Sequence, residues 1–182
     1  KEIVLTGKVV EPVDSNRLFS GEPIYIDRQL GNMISITNLN QLDTSQVEGM
    51  WQMFYGARSL ETLDVSGWDT SQVTNMNSMF SFMRLQRLTL GEDFKFVGNA
   101  DLGAPMKLQE TDVLTGNWIR EDGDSKGYSP TDFMAKYGTG DLTPGSYMAE
   151  IIEEIIVKEV PANLSFDKTK LSNKTKEIQR KE

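Results

Sequence analysis

The chain has 182 residues, 38% hydrophobic and 25% charged, enough to bury a core in one sizeable domain or two small ones. Its formal charge of −8 argues against nucleic acid and against a surface that clings to anionic lipid, since both need clustered Lys and Arg. With no His and no Cys, it excludes Ser-His-Asp and Cys-His catalysis, His-ligated metals, disulfide frameworks and zinc fingers.

Residues 1–41 read as an N-terminal cap followed by a degenerate repeat. The chain opens on Lys1-Glu2-Ile3 without a start Met, as a mature or trimmed chain would, so the lack of a leader does not argue for the cytoplasm. The stretches IVLTGKVV (Ile3–Val10) and PIYI (Pro23–Ile26) have strand character. MISIT (Met33–Thr37) resembles a repeat strand, with Ile34 and Ile36 where later copies have Leu63 and Val65.

Residues 42–96 hold two copies of one unit. Thr44 and Thr70 open them, about 26 residues apart. Asp43/Asp69, Ser45/Ser71, Gln46/Gln72, Val47/Val73, Met50/Met76, Met53/Met79 and Phe54/Phe80 match in register. With one gap, Leu60, Leu63 and Val65 fall on Leu85, Leu88 and Leu90, so each copy ends in L-x-x-L-x-[VL]. Val73, Met76, Met79 and Phe80 have the spacing of one helix face, and Leu63 and Val65 alternate as in a strand. Ser45 with Glu48 fits a capping box, and Asp43 and Asp69 sit where they can cap free N–H groups. A strand and a helical side at this period predict an α/β fold: a short leucine-rich-repeat solenoid with β-rich caps.

Residues 97–150 leave the pattern and read as a C-terminal cap. EDGDSKG (Glu121–Gly127) departs from a calcium loop, with Lys126 and Phe133 at ligand positions, and reads as a hairpin turn. YGTGDLTPG (Tyr137–Gly145) lacks the Lys-Ser/Thr of a phosphate loop and reads as a connection. Residues 151–182 read as a linker, and IIEEIIV (Ile151–Val157) is too short and charged to span a membrane. No membrane insertion and no cofactor or metal is expected.

LDVSGWDTSQVTNMNSMF (Leu63–Phe80) resembles the BspA-like leucine-rich repeats of bacterial surface proteins, whose units read as a leucine strand, Ser, then D-T-S-x-V-T-N-M and M-F. The first copy departs from it at Glu48-Gly49, and neither copy has the Cys that often follows M-F. FKFVGNADL, TGNWIRE and SPTDFMAKYGTG are similar to the cap of such repeats in Gram-positive surface proteins. Val160–Glu182 resembles the start of a WxL cell-wall-binding domain, although the W-x-L motifs are absent; read without the resemblance, it is a charged linker. The resemblance implies an extracellular location, associated with the cell wall.

Thr62, Asp64, Arg87 and Thr89 point outward between the core leucines and are candidate ligand contacts on a strand face. Trp51 and Tyr55, with Arg58 nearby, are candidate contact aromatics, or else pack against the N-terminal cap. Trp68 and Leu42 occupy equivalent positions and are expected in the core. The leading expectation is a non-enzymatic, adhesin-like module that binds a host extracellular protein, a neighbouring cell or a wall polymer. An alternative is a structural subunit of a wall complex, marked by a large apolar patch. A remoter one is a secreted glycosidase, which needs two acids facing each other at about 5–10 Å.

Overall fold

In the computed structural model, which describes residues 1–6, 10, 12–21 and 32–152, both repeat copies follow one backbone path and neither is helical. Val73, Met76, Met79 and Phe80 are buried as their spacing suggests, but a series of tight turns buries them. The destination of the amides decides this. Met50, Gln52, Phe54 and Gly56 donate their N–H groups to the carbonyls of Asn75, Asn77, Met79 and Ser81 in the next copy. An amide engaged in this way is not available to the carbonyl four residues back, which an α-helix requires. The alternate amides close four-residue turns, such as Met53 to Met50 and Tyr55 to Gln52. Gln52 and Ser78, at the same place in the two copies, both have φ 55°, a left-handed value that interrupts a right-handed helix.

The pattern extends to both sides. Ser15, Arg17, Phe19 and Gly21 donate to Gly49, Trp51, Met53 and Tyr55, and Ser78 and Phe80 donate to Asn99 and Ala100. The threonines that open the copies add side-chain links. Thr44 Oγ1 donates to the carbonyl of Asp69 (2.9 Å) and accepts from its N–H (3.0 Å). Thr70 Oγ1 does the same for Lys95, at 3.0 and 2.7 Å. Asp43 and Asp69 cap turns and not helices, accepting from the amides of Ser45 (3.2 Å) and Ser71 (2.8 Å). Glu48, expected in a capping box, instead receives the N–H and hydroxyl of Thr74 at its carbonyl.

Among the described residues the strands form two sheets. Strands β1 (Glu2–Val4) and β2 (Ser35–Thr37) pair in parallel. Strands β3 (Thr62–Val65) and β4 (Arg87–Leu90) also pair in parallel, with Leu63 beside Leu88 and Val65 beside Leu90. Beyond β4 the polarity reverses. The second sheet is completed by β5 (Leu114–Arg120) and β6 (Gly145–Ile151) in the order β3-β4-β6-β5. Among the described residues the only α-helix is α1 (Pro130–Lys136), outside the repeats. It starts with Pro after Ser129, whose hydroxyl accepts from the amide of Asp132. Among the described residues the fold is therefore a small β-rich domain with two sheets, one short α-helix and a 3-10 turn at Leu39–Gln41. The expected α/β leucine-rich-repeat solenoid is not what forms, because the predicted helical side is a run of turns.

Lys1–Ile152 form one compact unit, which takes in the stretches 1–41, 42–96 and 97–150. The inward leucines meet Met50, Met53, Met76 and Met79, and all of these are buried. A column of stacked rings runs from Phe19 to Phe54 (5.4 Å) to Phe80 (6.2 Å). Trp68 lies beside it, fully buried, its indole N–H donating to Leu39 O at 2.8 Å. Phe133, Tyr137, Tyr147 and Trp118 continue the core under the second sheet. No helix among the described residues is long and apolar enough to cross a membrane. Pro23–Ile26 and the WxL-like Val160–Glu182 lie outside the described residues.

Candidate functional site

The strand-face residues come together as the alternation implies. Thr62 and Asp64 on edge strand β3 are exposed, beside half-buried Arg87 and Thr89 on β4. Their polar groups are largely engaged within the protein. Thr89 Oγ1 is 2.9 Å from the hydroxyl of Ser146 on β6, and Arg87 is ion-paired with Glu121. Asp64 accepts from the amide of Ser66 at 3.0 Å. The Nε of Arg87 is buried without a hydrogen-bond partner. The Asp122 turn is similarly self-contained. Arg120 pairs with Asp122 and, as the main cause, holds its carboxyl below the usual carboxylate range.

Trp51 and Tyr55 are half-exposed and take different partners. The Arg17 guanidinium lies 4.3 Å from the Trp51 ring and donates from Nε to Gln52 at 2.7 Å, so Trp51 faces the N-terminal segment. Tyr55 meets Phe82 edge-on, with ring centroids 5.1 Å apart. Phe82 is 59% exposed and has φ 60°. Its counterpart in the first copy is Gly56, with φ 72°. Glycine adopts that backbone freely, whereas a bulky residue is strained there. The second copy thus places an exposed aromatic ring where the first uses the residue the turn prefers. The Arg58 guanidinium sits 5.8 Å from the centre of the Phe82 ring. Phe82 is the contact residue that the sequence reading does not single out. The signal available is its alignment with Gly56 in the ungapped part of the repeat.

Arg58 also lines a groove of about 480 Å³ at the start of the strands. That volume falls in the ~300–1,000 Å³ range of ligand sites. The two copies build it from equivalent positions: Arg58 with Arg84, and Glu61 with Gln86, joined where the Gln86 amide donates to Glu61 O at 2.7 Å. Lys107 and Glu110 from the downstream segment form one side and pair with each other. Ile34, 54% exposed, and Met106 supply apolar wall. Arg84 is exposed and makes no hydrogen bond or ion pair among the described residues. The arrangement offers guanidinium and ammonium donors, carboxylate and amide acceptors, and an adjoining aromatic ledge. It suits recognition of a polar, ring-bearing partner.

Residues 28–87 match the family model described as Mycoplasma protein of unknown function, DUF285. The match covers the whole first copy and the second as far as Arg87, and so takes in Tyr55, Arg58, Phe82 and Arg84. This family is associated with surface proteins. Neither the curated proteins nor the solved structures contain a match to the chain.

Proposed function

We propose that the protein is a non-catalytic interaction module displayed at the cell surface, meeting its partner through the ledge of Tyr55, Phe82 and Arg58. The observation that carries this reading is Phe82: an exposed ring held in left-handed backbone, where the equivalent position holds glycine. Such strain costs of order 1–3 kcal/mol and clusters at functional positions. Tyr and Arg beside an exposed ring are also typical of residues that dominate binding energy. Surface display is supported by the surface-associated family matched over residues 28–87 and by the BspA-like resemblance of Leu63–Phe80. The WxL-like tail supports attachment to a wall. The partner is then a host extracellular protein, a neighbouring cell or a wall polymer.

A second reading, a structural subunit of a surface complex, is favoured by the exposed Val113, Ile151 and Ile152. These cluster where the Ile152 amide donates to Val113 O at 2.7 Å. The test is capture of the full chain by purified Gram-positive walls and, separately, by extracellular-matrix proteins, with Phe82→Ser for comparison. Capture that drops with Phe82→Ser is expected. Capture that ignores the substitution refutes the ledge, and no capture by either target favours the subunit reading.

A further inference from the structure

Resting on the interaction-module reading, we infer that the groove beside the ledge binds a carboxylated polysaccharide, a polymer of uronic acid and hydroxyl-rich sugar units. Charge is the first argument. The chain carries 27 Asp and Glu against 19 Lys and Arg, yet the groove collects Arg58, Arg84 and Lys107 against Glu61 and Glu110. Lys107 and Glu110 neutralise each other, which leaves the two arginines against Glu61, and on an otherwise acidic chain an anion is favoured there over the rest of the protein.

The arginines carry the second argument. Arg58 and Arg84 stand at the same position of successive copies, so the repeat itself sets two guanidinium groups along one wall. Arg84 has no internal partner among the described residues. A guanidinium matches a planar carboxylate with two parallel N–H donors, a geometry that a single ammonium does not offer.

The acids select among anions. A dense polyanion, such as an acidic peptide, would set its charges against Glu61 and Glu110. A polymer with one carboxylate among several hydroxyls uses those same oxygens, with Gln86, as acceptors for its O–H donors. The ledge completes the fit. Phe82, next to Arg58, presents an apolar ring face of the kind on which the C–H face of a sugar ring can lie.

The experiment titrates the full 182-residue chain with oligosaccharides of hyaluronan and of polygalacturonate, using poly-L-glutamate and neutral dextran as comparison probes. Binding to a uronate probe is expected, weaker at about 0.15 M salt than at about 0.05 M. Arg84→Ala should weaken it about tenfold or more, since it removes a charge-assisted contact. Phe82→Gly should weaken it too, while circular dichroism shows the fold retained. Lys126→Ala, which removes a cation outside the groove, should leave it unchanged. Equal loss on Lys126→Ala, or none on Arg84→Ala, overturns the inference. So does poly-L-glutamate binding as tightly with the same Arg84 dependence, which would make the groove a peptide site. Absence of uronate binding alongside Phe82-dependent capture by walls or matrix overturns the inference and leaves the interaction module standing. Absence of both removes the two together.

Discussion

Replacing Phe82 by Ala and, separately, by Gly isolates the strain at the ledge. Both variants lose the same contacts: the edge-on packing with Tyr55 and the neighbouring Arg58 guanidinium. Both remove the same exposed ring. What differs between them is the backbone. At an ordinary position Ala is more stable than Gly by about 0.4–1 kcal/mol, because it restricts the unfolded chain. At φ 60° a side chain with a Cβ costs roughly 1–2 kcal/mol that Gly does not. The two terms oppose, and the Gly variant should exceed the Ala variant by about 0.5–1 kcal/mol, reversing the usual order. Urea unfolding followed by circular dichroism measures this as a higher midpoint for Phe82→Gly at equal slope. If Phe82→Ala is as stable as Phe82→Gly or more so, the left-handed backbone is not a source of strain, and the main support for the ledge falls away.

Thr70→Val keeps the shape but leaves the Lys95 amide without its acceptor, so a loss of about 1–3 kcal/mol is expected, with Thr70→Ser much milder; chemical denaturation checks both. Gly91→Ala would put a Cβ 1.7 Å from the carbonyl of Ser66, so the backbone must shift, and thermal melting should show a loss of about 1–3 kcal/mol or more. Burial raises the Tyr147 hydroxyl to about 12, well above an unfolded tyrosine near 10. The folded state keeps a proton that the unfolded state releases, so stability is intact below about pH 10 and falls as pH rises towards 12, by about 1.4 kcal/mol per pH unit. Tyr147→Phe, which also forfeits the bond to the Thr143 carbonyl, should be less stable at pH 7 and lose less between pH 10 and 12.

Leu63, Val65, Leu88 and Leu90 show what is legible in the sequence. Alternation with period two is a local property of an extended chain, so β3 and β4 can be located before any neighbour is known. Met76, Met79 and Phe80 show the limit. Their spacing marks them as buried, but a helix and a series of tight turns bury the same positions. The choice depends on where the amides donate, and the Phe54 amide finds its acceptor at Met79, in the other copy. The pairing of Leu88 with Tyr147 is not legible either, because β6 joins β4 from far along the chain and its register depends on tertiary packing. At the candidate site, the equivalence of Arg58 and Arg84 is written in the repeat. The groove is not, because Lys107 and Met106 come from a segment without the repeat pattern. Phe82 lies between these cases: its exposure and φ need the structure, whereas its departure from Gly56 needs only the alignment.

The burial of two of the three tryptophans has a practical consequence. Trp68 sits against Leu39 among the repeat copies, and Trp118 donates to Gly103 O at 3.0 Å under the second sheet. Trp51 stays half-exposed beside Arg17. The chain therefore carries its own fluorophores in three distinct surroundings. Emission from Trp68 and Trp118, separated by single Trp→Phe replacements, tells whether the repeat copies and the antiparallel strands melt in one cooperative step or in two. Trp51, beside Arg17, gives an optical signal from the contact between the first copy and the N-terminal segment without any added label.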